Sequence, residues 1–467
     1  MTGKNLLERL NSPEAEGIFS MLYGEEGPKT ARQRYRRLIE ELSEDIIFPE
    51  KDFHETRGEL CLFSVPGRTE LGGNHTDHNH GKVLAASIQL DAAAAVAPRQ
   101  DKQVFFRSVG HRDVKVDLTD LSYREDEKGN TEALIRGIAA EFAAQGTPVR
   151  GFTANADNMV LTGSGLSSSA VVEVLFAKIF DNLYCGGKRS ALELAKIAQK
   201  AENVYFGKPC GLMDQIACAS GGAAAIDFQN SQNPEIKKIN FDPVAAGYVL
   251  CVVNTRGRHS DLTPDYAAIP GEMKAVAAFF NKPVLRDLDE EIFMSRLPDL
   301  RKAVGGRAVL RAFHFYGENR RVDAMLAVLE DLNALPGRKL GAVEPQPKIQ
   351  AQEKAQAMET FLALVRESGD SSSELLQNIY PMKDPAEQGL GMALALTKNF
   401  LKSDSGDCRG NCRGACRVHG GGFAGTIQAY LPIERLGEYR TLIEEIFGEG
   451  ALTVLRIRPM GAVELEF

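Results

Sequence analysis

The stretch TGSGLSSSAVVEVLFAKIF, residues 162–180, joins a loop of glycines and serines to an amphipathic run that is typical of a helix. Gly163 and Gly165 allow the backbone to fold closely over a ligand. Backbone N–H groups at a helix N-terminus attract phosphate, and a serine hydroxyl can reach a magnesium ion. The Lys-Ser/Thr pair that ends a Walker A loop is absent. The segment therefore predicts an anion-binding loop of another kind, with plain helix capping as the alternative.

Length and charge narrow the class of protein. A chain of 467 residues is too long for one compact core, which predicts two or three domains. The formal charge of -8 provides no broad basic surface for a phosphate backbone, so we expect no nucleic-acid partner. No signal peptide and no membrane-spanning apolar run is visible, which predicts a cytoplasmic protein without a membrane partner. The eight cysteines are then expected to be reduced thiols.

Hydrophobic periodicity predicts several elements. Residues 30–42 favour a helix whose charged side chains form a solvated face, and residues 60–67 favour a strand that ends at a Pro-Gly turn. Residues 83–98 and 103–110 are rich in strand-forming patterns. A helix with apolar residues at a spacing of four follows near residue 134.

Strands cluster and then helices cluster along the chain, which favours an α+β fold over a regularly alternating parallel α/β fold. We expect an N-terminal domain over residues 1–240 and a C-terminal α+β domain over residues 241–467. The polar stretch 334–358, rich in Pro and Gln, predicts a surface insertion in the second domain.

A second group of polar residues lies in AENVYFGKPCGLMDQIACAS, residues 201–220. Ser190 and Glu193 form a capping-box pattern that opens the helix carrying Glu202, and Asp214 follows among apolar residues. Buried carboxylates are costly unless they are paired or bind a cation. With a phosphate-binding loop nearby, Glu202 could hold Mg²⁺ and Asp214 could orient or deprotonate an attacking hydroxyl. The alternative is that Asp214 caps the next helix and Glu202 is exposed.

Two further segments share this character. RVHGGGFAGTIQAYLP, residues 417–432, places a glycine run before an alternating strand, which indicates a tight turn or a loop that approaches phosphates. PGRTELGGNHTDHNHG, residues 66–81, combines an arginine, an asparagine, histidines and an aspartate between glycines. In order and approximate spacing, all four segments resemble motifs of the GHMP kinase superfamily and, within it, the galactokinase family.

The resemblance implies a GHMP kinase fold of two domains with the active site in the cleft between them, and a sugar 1-kinase that uses ATP and Mg²⁺. Arg68 and Asp214 would be catalytic, with Arg68 beside the transferring phosphoryl group. Arg68 is also expected to lower the pKa of Asp214. Sugar-binding roles fall on Asn74, His75, Asp77, Gly211 and Tyr266, ATP-binding roles on Gly163, Ser164, Gly165, Leu166, Ser167, Ser168, Ser169, Gly421 and Gly422, and magnesium-binding roles on Ser168 and Glu202.

Residues 66–81 are similar to the sugar-binding signature of the family, called the sugar signature below, and this sequence departs from the family pattern there. Asn74 stands where the family carries the glutamate that grips the sugar O6, and His78 replaces a tyrosine. Asn74 can hydrogen-bond O6 of galactose, but it would also tolerate a C6 carboxylate that glutamate repels. Glu70 and Gly72 replace residues that are usually neutral and bulky. A kinase of galacturonate or of a substituted galactose therefore stays open as an alternative.

Two alternative functions are disfavoured by the sequence. A non-catalytic sensor of sugar and ATP has no need of a proton acceptor, so Asp214 argues against it. A mevalonate-type kinase of the same superfamily is disfavoured by the sugar signature. We expect small-molecule partners only, with the chain a monomer or weak dimer.

Three cysteines and a histidine near the C-terminal glycine run are candidate ligands for zinc. Their spacing is consecutive, whereas structural zinc sites favour two separated pairs of ligands, so reduced loop thiols are favoured. Other histidines are expected to be ordinary hydrogen-bonded or surface residues. The zinc candidates are Cys408, Cys412, Cys416 and His419, and the other histidines are His54, His111, His259 and His314.

Overall fold

The computed structural model describes residues 3–43, 60–161, 165–257, 262–334, 347–402 and 413–467. Its described residues form two β-sheets with helices packed against them, in agreement with the predicted α+β class. None of the helices in these ranges is long and apolar enough to cross a membrane.

The larger sheet has eight strands. Its spatial order is β12-β1-β2-β5-β3-β4, and β6 extends from β2 to pair with β7. All neighbours are antiparallel except β3 and β5, which are parallel. The strands are β1 Cys61–Gly72, β2 Lys82–Pro98, β3 Gln103–Ser108, β4 Val114–Asp117, β5 Phe152–Asn158, β6 Ala223–Asp227, β7 Glu235–Ile239 and β12 Val463–Glu464.

The first strand does not end at the predicted Pro-Gly turn. It continues through Pro66 and Gly67 to Gly72, with a register shift between Pro66 and Arg68. Proline cannot donate a ladder hydrogen bond, and a bulge is one of the few places where a sheet accepts it. The prediction was wrong because the local turn signal was outweighed by pairing with β2.

Small residues in β2 let helices pack against both faces of the large sheet. Ala92, Ala94 and Val96 face one core, and the alternate residues Ala93 and Ala95 face another. Successive side chains of a strand point to opposite faces, so one alanine-rich strand serves both cores. Helices packed on the first face include α4 Thr131–Ala144, α5 Ser168–Cys185, α6 Ala191–Lys200 and α7 Met213–Ser220.

Three N-terminal helices cover the second face. They are α1 Gly3–Arg9, α2 Pro13–Tyr23 and α3 Pro28–Ser43, and their apolar side chains form one cluster with Leu62 and the β2 alanines. The helix predicted over residues 30–42 is thus confirmed as α3.

The charged side chains of α3 do not all lie on a solvated face, as was predicted. Arg34 is buried and contacts Asp91 at 2.5 Å, and Asp91 is also 3.3 Å from Arg458 and 2.7 Å from the Tyr23 hydroxyl. Burial alone would raise the pKa of Asp91, but Arg34 and Arg458 hold it below its usual value. Periodicity cannot reveal an arginine whose partner lies on a distant strand.

The second sheet is antiparallel, with the order β11-β8-β10-β9. Its strands are β8 Tyr248–Asn254, β9 Ala415–His419, β10 Thr426–Pro432 and β11 Leu452–Leu455. The remaining helices are α8 Thr263–Phe279, α9 Glu290–Ser295, α10 Leu297–Val304, α11 Gly306–Ala334, α12 Pro347–Ser371, α13 Gly389–Leu401 and α14 Leu436–Phe447.

The predicted insertion at 334–358 is only partly described. Residues 335–346 lie outside the described ranges, whereas residues 347–358 form the first half of α12. Residues 352–356 are exposed, as a surface insertion requires, and Met358 is buried against the large core. The helix was not predicted, because its first turns lack an apolar stripe.

We expect the Asp91→Asn substitution to lower the free energy of unfolding by about 3–5 kcal/mol, because it leaves Arg34 and Arg458 buried without their counterion. Denaturant unfolding measures this change. Asp370→Asn, which breaks the exposed pair with Lys398, is the matched control and should cost about 0–1 kcal/mol. Equal effects of the two substitutions would contradict the assignment of a stabilising role to the buried cluster.

Candidate active site

A cavity of about 260 Å³ lies where the predicted motifs meet. It is lined by the end of β1 and the loop after it, by the segment that leads into α7, by α8, and by the glycine run before β10. The volume suits a monosaccharide better than a large ligand. Of the residues predicted to bind sugar or to catalyse, Arg68, Asn74, His75, Asp77, Gly211, Asp214 and Tyr266 all line it, together with Gly421.

Arg68 and Asp214 are in direct contact although they lie 146 positions apart. The Nε and Nη2 atoms of Arg68 are each 2.8 Å from Asp214 Oδ1, and Ser167 Oγ donates to Asp214 Oδ2 at 2.5 Å. Arg68 also donates to the carbonyl of Gly165, and its backbone N–H donates to Leu166 O at 3.2 Å. These bonds join the sugar signature to the glycine-serine loop.

The electrostatic setting keeps the carboxylate of Asp214 charged. Burial would raise its pKa, but Arg68, the hydroxyl of Ser167 and Lys208 together hold the pKa below its usual value. This agrees with the effect expected of Arg68. The ionised carboxylate can accept a hydrogen bond from a hydroxyl in the cavity and orient it.

Two glycine-rich segments approach each other beside this pair. Gly165 and Gly420 both have positive φ, and a Cβ added to Gly420 would lie 3.0 Å from the Cα of Gly165. A smaller space of about 140 Å³ adjoins them and is lined by Gly165, Gly421 and Gly422 among others. Backbone groups are thus accessible to a ligand at this point. Of the predicted ATP-binding residues, Leu166 is buried, Ser167 is the N-cap of α5, and Ser168 and Ser169 are the first two residues of that helix. Gly163 and Ser164 lie outside the described ranges.

Glu202 belongs to a buried carboxylate cluster. The capping box of Ser190 and Glu193 is present, and the helix it opens continues into the π-helical segment Ala201–Phe206. Glu202 is only 2% exposed, and Lys208 Nζ lies 3.3 Å from its Oε1. The exposed position that was the alternative for Glu202 is therefore wrong.

Gln215 connects Glu202 to a second carboxylate. Its Nε2 is 3.0 Å from Oε2 of Glu202 and 3.0 Å from Oε2 of Glu173 on α5. Burial and the neighbouring Glu202 raise the pKa of Glu173. Oε1 of Glu173 is buried without a hydrogen-bond partner, so the cluster has unused acceptor capacity for a cation.

The part of the chain that the structure describes contains no all-protein metal cage. In the described ranges, no three His, Cys, Asp or Glu side chains are arranged to hold a metal ion. Mg²⁺ is commonly bound through one or two protein ligands with substrate phosphates and waters. Neither Ser168 nor Glu202 is among the residues that line the two spaces described above. Asn158 Nδ2 contacts Ser168 Oγ at 3.2 Å and helps to orient the hydroxyl.

Asp77 and Gly211 fit each other closely. Asp77 begins the short 3₁₀ turn Asp77–Asn79, and its Oδ1 accepts a hydrogen bond from the backbone N–H of His78 at 2.9 Å. A Cβ built on Gly211 would overlap the Asp77 carboxylate. Glycine at position 211 therefore permits the carboxylate to occupy its place in the cavity.

Tyr266 and His75 both contact the glycine run. The Tyr266 hydroxyl lies 3.3 Å from Gly422 O, and its ring would collide with a Cβ on Gly421. His75 has a φ of 58° and places its Nε2 3.0 Å from Gly421 O. Burial is the main cause that lowers the pKa of His75 to about 4, so the ring is neutral at pH 7.

Asn74 lines the cavity, but its amide is bound to protein groups. Its Nδ2 donates to the Glu70 carboxylate at 3.1 Å and to Gly420 O at 2.9 Å, while its Oδ1 accepts from Asn378 Nδ2 at 3.2 Å. Glu70 is also paired with Arg417 at 2.6 Å. Burial raises the pKa of Glu70, and Arg417 and Arg68 offset part of that effect.

Several polar residues of the site were not predicted from the sequence. They are Glu70, Glu173, Lys208, Gln215, Asn378 and Arg417. Glu173 follows Ser169 at a spacing of four, which places both on one helix face and could have indicated a shared site. Arg417 and Asn378 carry no local signal, because only the tertiary structure brings them to β1.

The cysteine-histidine cluster is incompletely described. Cys408 and Cys412 lie outside the described ranges, as do His54 and His259. His419 is buried, with its ring nitrogens 3.0 Å from Thr69 Oγ1 and 3.2 Å from Thr426 Oγ1. Cys416 is buried, and His111 is exposed. His314 makes ordinary hydrogen bonds to Ser371 and to the carbonyl of Asn74.

The lowered pKa of His75 predicts a dependence of stability on pH. Between its ordinary pKa of about 6.5 and the folded value of about 4, the unfolded chain binds a proton that the folded chain excludes. The free energy of unfolding should therefore fall as pH decreases through this range. Asp77, His78 and His314, which act on His75, remain in any variant at position 75.

We expect His75→Asn to lose less stability than the unaltered protein between pH 7 and pH 5, because asparagine has no proton to gain and tolerates a positive φ. Denaturant unfolding at both pH values measures the difference. Parallel losses in the two proteins would contradict burial of a neutral imidazole.

Comparison with known proteins agrees with these motifs. The family described as "GHMP kinases N terminal domain" matches residues 133–222, and the "Galactokinase galactose-binding signature" matches residues 50–98. A galactokinase from Streptomyces coelicolor is 33% identical over 288 residues, which cover 60% of this chain and 71% of that protein. One from Glaesserella parasuis is 28% identical over 388 residues, covering 82% and 88%.

Solved structures show the same fold. A galactokinase from Lactococcus lactis, crystallised with galactose, aligns with a TM-score of 0.69 at 22% identity, covering 91% of this chain and 99% of that one. A mevalonate kinase from Methanococcus jannaschii aligns with a TM-score of 0.52 at 16% identity, covering 86% and 99%. The predicted GHMP kinase fold is confirmed. By its motifs, its fold and its identity to these relatives, the chain belongs to the galactokinase family of the GHMP kinases.

Proposed function

We propose that the protein transfers the terminal phosphoryl group of ATP to the anomeric hydroxyl of galactose, forming galactose 1-phosphate and ADP. The contact of Asp214 with both Arg68 and Ser167 carries this proposal. In its support, the Asp214 carboxylate and the Arg68 guanidinium lie together in a cavity of about 260 Å³, and Arg68 also contacts the glycine-serine loop at Gly165.

Arg68 and Asp214 have different roles in the proposed phosphoryl transfer. Negative charge spreads over the transferring phosphoryl group, and the guanidinium of Arg68 stabilises it by charge and hydrogen bonds. Asp214 orients the anomeric hydroxyl and receives its proton. The lowered pKa of Asp214 favours an orienting role with the proton accepted as the transfer proceeds.

The sugar is held by groups around the cavity. Asp77 accepts hydrogen bonds from sugar hydroxyls, and Gly211 leaves room for that carboxylate. His75 supports this side of the site, Tyr266 closes the pocket, and Asn74 lines it.

ATP is the phosphoryl donor in this family, and we propose that its phosphates lie between the glycine-serine loop and the glycine run. Among the predicted ATP-binding residues in the described ranges, Gly165, Gly421 and Gly422 border the smaller space, which supports this placement. Mg²⁺ bound by Ser168 and Glu202 would neutralise phosphate charge. The unpartnered Glu173 oxygen and the buried Glu202 carboxylate make this part of the site suited to a cation.

We further propose the division into an N-terminal domain over 1–240 and a C-terminal domain over 241–467, acting as a monomer or weak dimer in the cytoplasm. Both sheets contribute strands near the cleft, since β1 belongs to one and the glycine run precedes β10 of the other. Nucleic acid and membranes are not proposed as partners.

An ADP-release assay with galactose, galactosamine, N-acetylgalactosamine, galacturonate, glucose and arabinose tests the function. We expect galactose to be the preferred acceptor. Binding of sugar and ATP without any turnover would instead support the sensor alternative, and selective turnover of galacturonate would support a uronate kinase.

Asp214→Asn should reduce kcat with galactose by about 10²- to 10⁴-fold, because the amide cannot accept the hydroxyl proton. Steady-state ADP release measures kcat, and KM for galactose should change much less. Asp289→Asn, at the exposed N-cap of α9, is the matched control and should leave kcat unchanged. Retention of more than half of kcat by the Asp214 variant would contradict the proposed proton acceptor.

Gly211→Ala should raise KM for galactose about 10-fold or more, because the new methyl group displaces the Asp77 carboxylate. Galactose titration in the ADP-release assay measures KM. Gly437→Ala is the control, since a Cβ at position 437 meets no atom within 4 Å. An unchanged KM in the Gly211 variant would argue against sugar binding by Asp77.

A further inference from the structure

The carboxylate nearest to Asn74 in the cavity belongs to Glu70. Glu70 is two residues beyond Arg68 on β1, and both pair in regular register with β2, Arg68 opposite Ser87 and Glu70 opposite Ala85. Side chains two apart on a strand share a face and are separated by about 7 Å. Glu70 therefore lines the same cavity as Arg68, at about the width of a pyranose ring from it.

The partners of Glu70 leave part of its carboxylate available. Oε1 receives hydrogen bonds from Arg417 at 2.6 Å and from Asn74 at 3.1 Å, whereas Oε2 has only a long contact of 3.4 Å with Asn74. A carboxylate can accept about four hydrogen bonds. Arg417 is fully buried and does not line the cavity, so Glu70 separates it from any ligand.

Asn74, by contrast, has no N–H group to offer a sugar. One N–H is directed to Glu70 and the other to Gly420 O, and its carbonyl oxygen already accepts from Asn378. An asparagine amide has two N–H donors. Hydrogen bonding of Asn74 to a sugar oxygen would require one of these buried bonds to break.

We propose that Glu70, held in place by Asn74 and Arg417, accepts hydrogen bonds from the hydroxyl groups on the C4 and C6 side of the sugar ring. This inference rests on the proposed function, which places the anomeric hydroxyl at Asp214. Asn74 is then a positioning residue that acts through Glu70.

This arrangement defines the class of sugar. Glu70 requires a hydroxyl donor on that side of the ring, so galactose and other sugars with a neutral hydroxymethyl group fit. A C6 carboxylate would face the Glu70 carboxylate, and like charges at that range repel. The protein therefore discriminates against uronic acids, although the residue at position 74 is uncharged.

A coupling experiment tests the contact. The kcat/KM of the unaltered protein and of Glu70→Gln is measured with galactose, 4-deoxygalactose and 6-deoxygalactose. With galactose, the substitution should lower kcat/KM by about 10- to 100-fold, as expected for a hydrogen bond to a charged group. With at least one deoxy sugar, the same substitution should cost less than about 3-fold, because the partner hydroxyl is already missing.

Galacturonate provides a second measurement. The unaltered protein should phosphorylate galacturonate at least about 100-fold less efficiently than galactose, and Glu70→Gln should narrow this ratio by about 10-fold. Equal losses on all the sugars, or a preference of the unaltered protein for galacturonate, would overturn the assignment of Glu70. If the unaltered protein phosphorylates no sugar, the proposed function itself fails, which is a different outcome from activity without coupling.

Further variants separate a sugar contact from a structural role. Glu70→Asp retains the counterion of Arg417 and should fold with a Tm close to that of the unaltered protein, yet lose affinity for galactose because the carboxylate retracts. Asn74→Ala should reduce the ratio of kcat/KM for galactose to kcat/KM for the deoxy sugar, 4-deoxy or 6-deoxy, that shows coupling to Glu70. The corresponding ratio for galactose and 2-deoxygalactose should stay unchanged. A change of both ratios by the same factor would overturn the positioning role of Asn74.

Discussion

The contact between Arg68 and Asp214 is the interaction on which the site depends. One residue lies on β1 and the other in the first turn of α7, and Ser167 at the start of α5 binds the same carboxylate. The site therefore forms only when β1, α5 and α7 are correctly packed against one another. A buried arginine and a buried carboxylate are each costly alone, so the pair also constrains how α5 and α7 pack on the sheet.

Strand β2 allows this close packing of helices against the sheet. That strand pairs with β1, β5 and β6, and its alanines occupy both faces. Small side chains allow the helices that carry Ser167 and Asp214 to pack close to β1 on one face, while the N-terminal helices cover the other. The buried pairing of Arg34 with Asp91 connects α3 to this central strand. Thus the N-terminal extension outside the family motifs contacts the strand that pairs with β1, which carries Arg68.

Local sequence patterns predicted the helices and strands better than they predicted the long-range contacts between them. Apolar periodicity identified α3, β2 and α4, and the capping box at Ser190 and Glu193 identified the start of α6. Such signals depend on neighbours within a few residues. The burial of Arg34 and the passage of β1 through Pro66 depend on residues far along the chain, which no local pattern encodes.

The loop after β1 shows that the role of a motif residue depends on the folded conformation of the motif. After β1, Gly73 adopts a φ of 88°, and a Cβ there would overlap the carbonyl of Lys82. This turn directs Asn74 back onto Glu70, so the properties of the two positions cannot be assigned separately. Considered alone, an amide at position 74 indicates that this side of the cavity carries no charge. In the folded loop it holds the carboxylate of Glu70, which lies two positions beyond Arg68 and lines the same cavity.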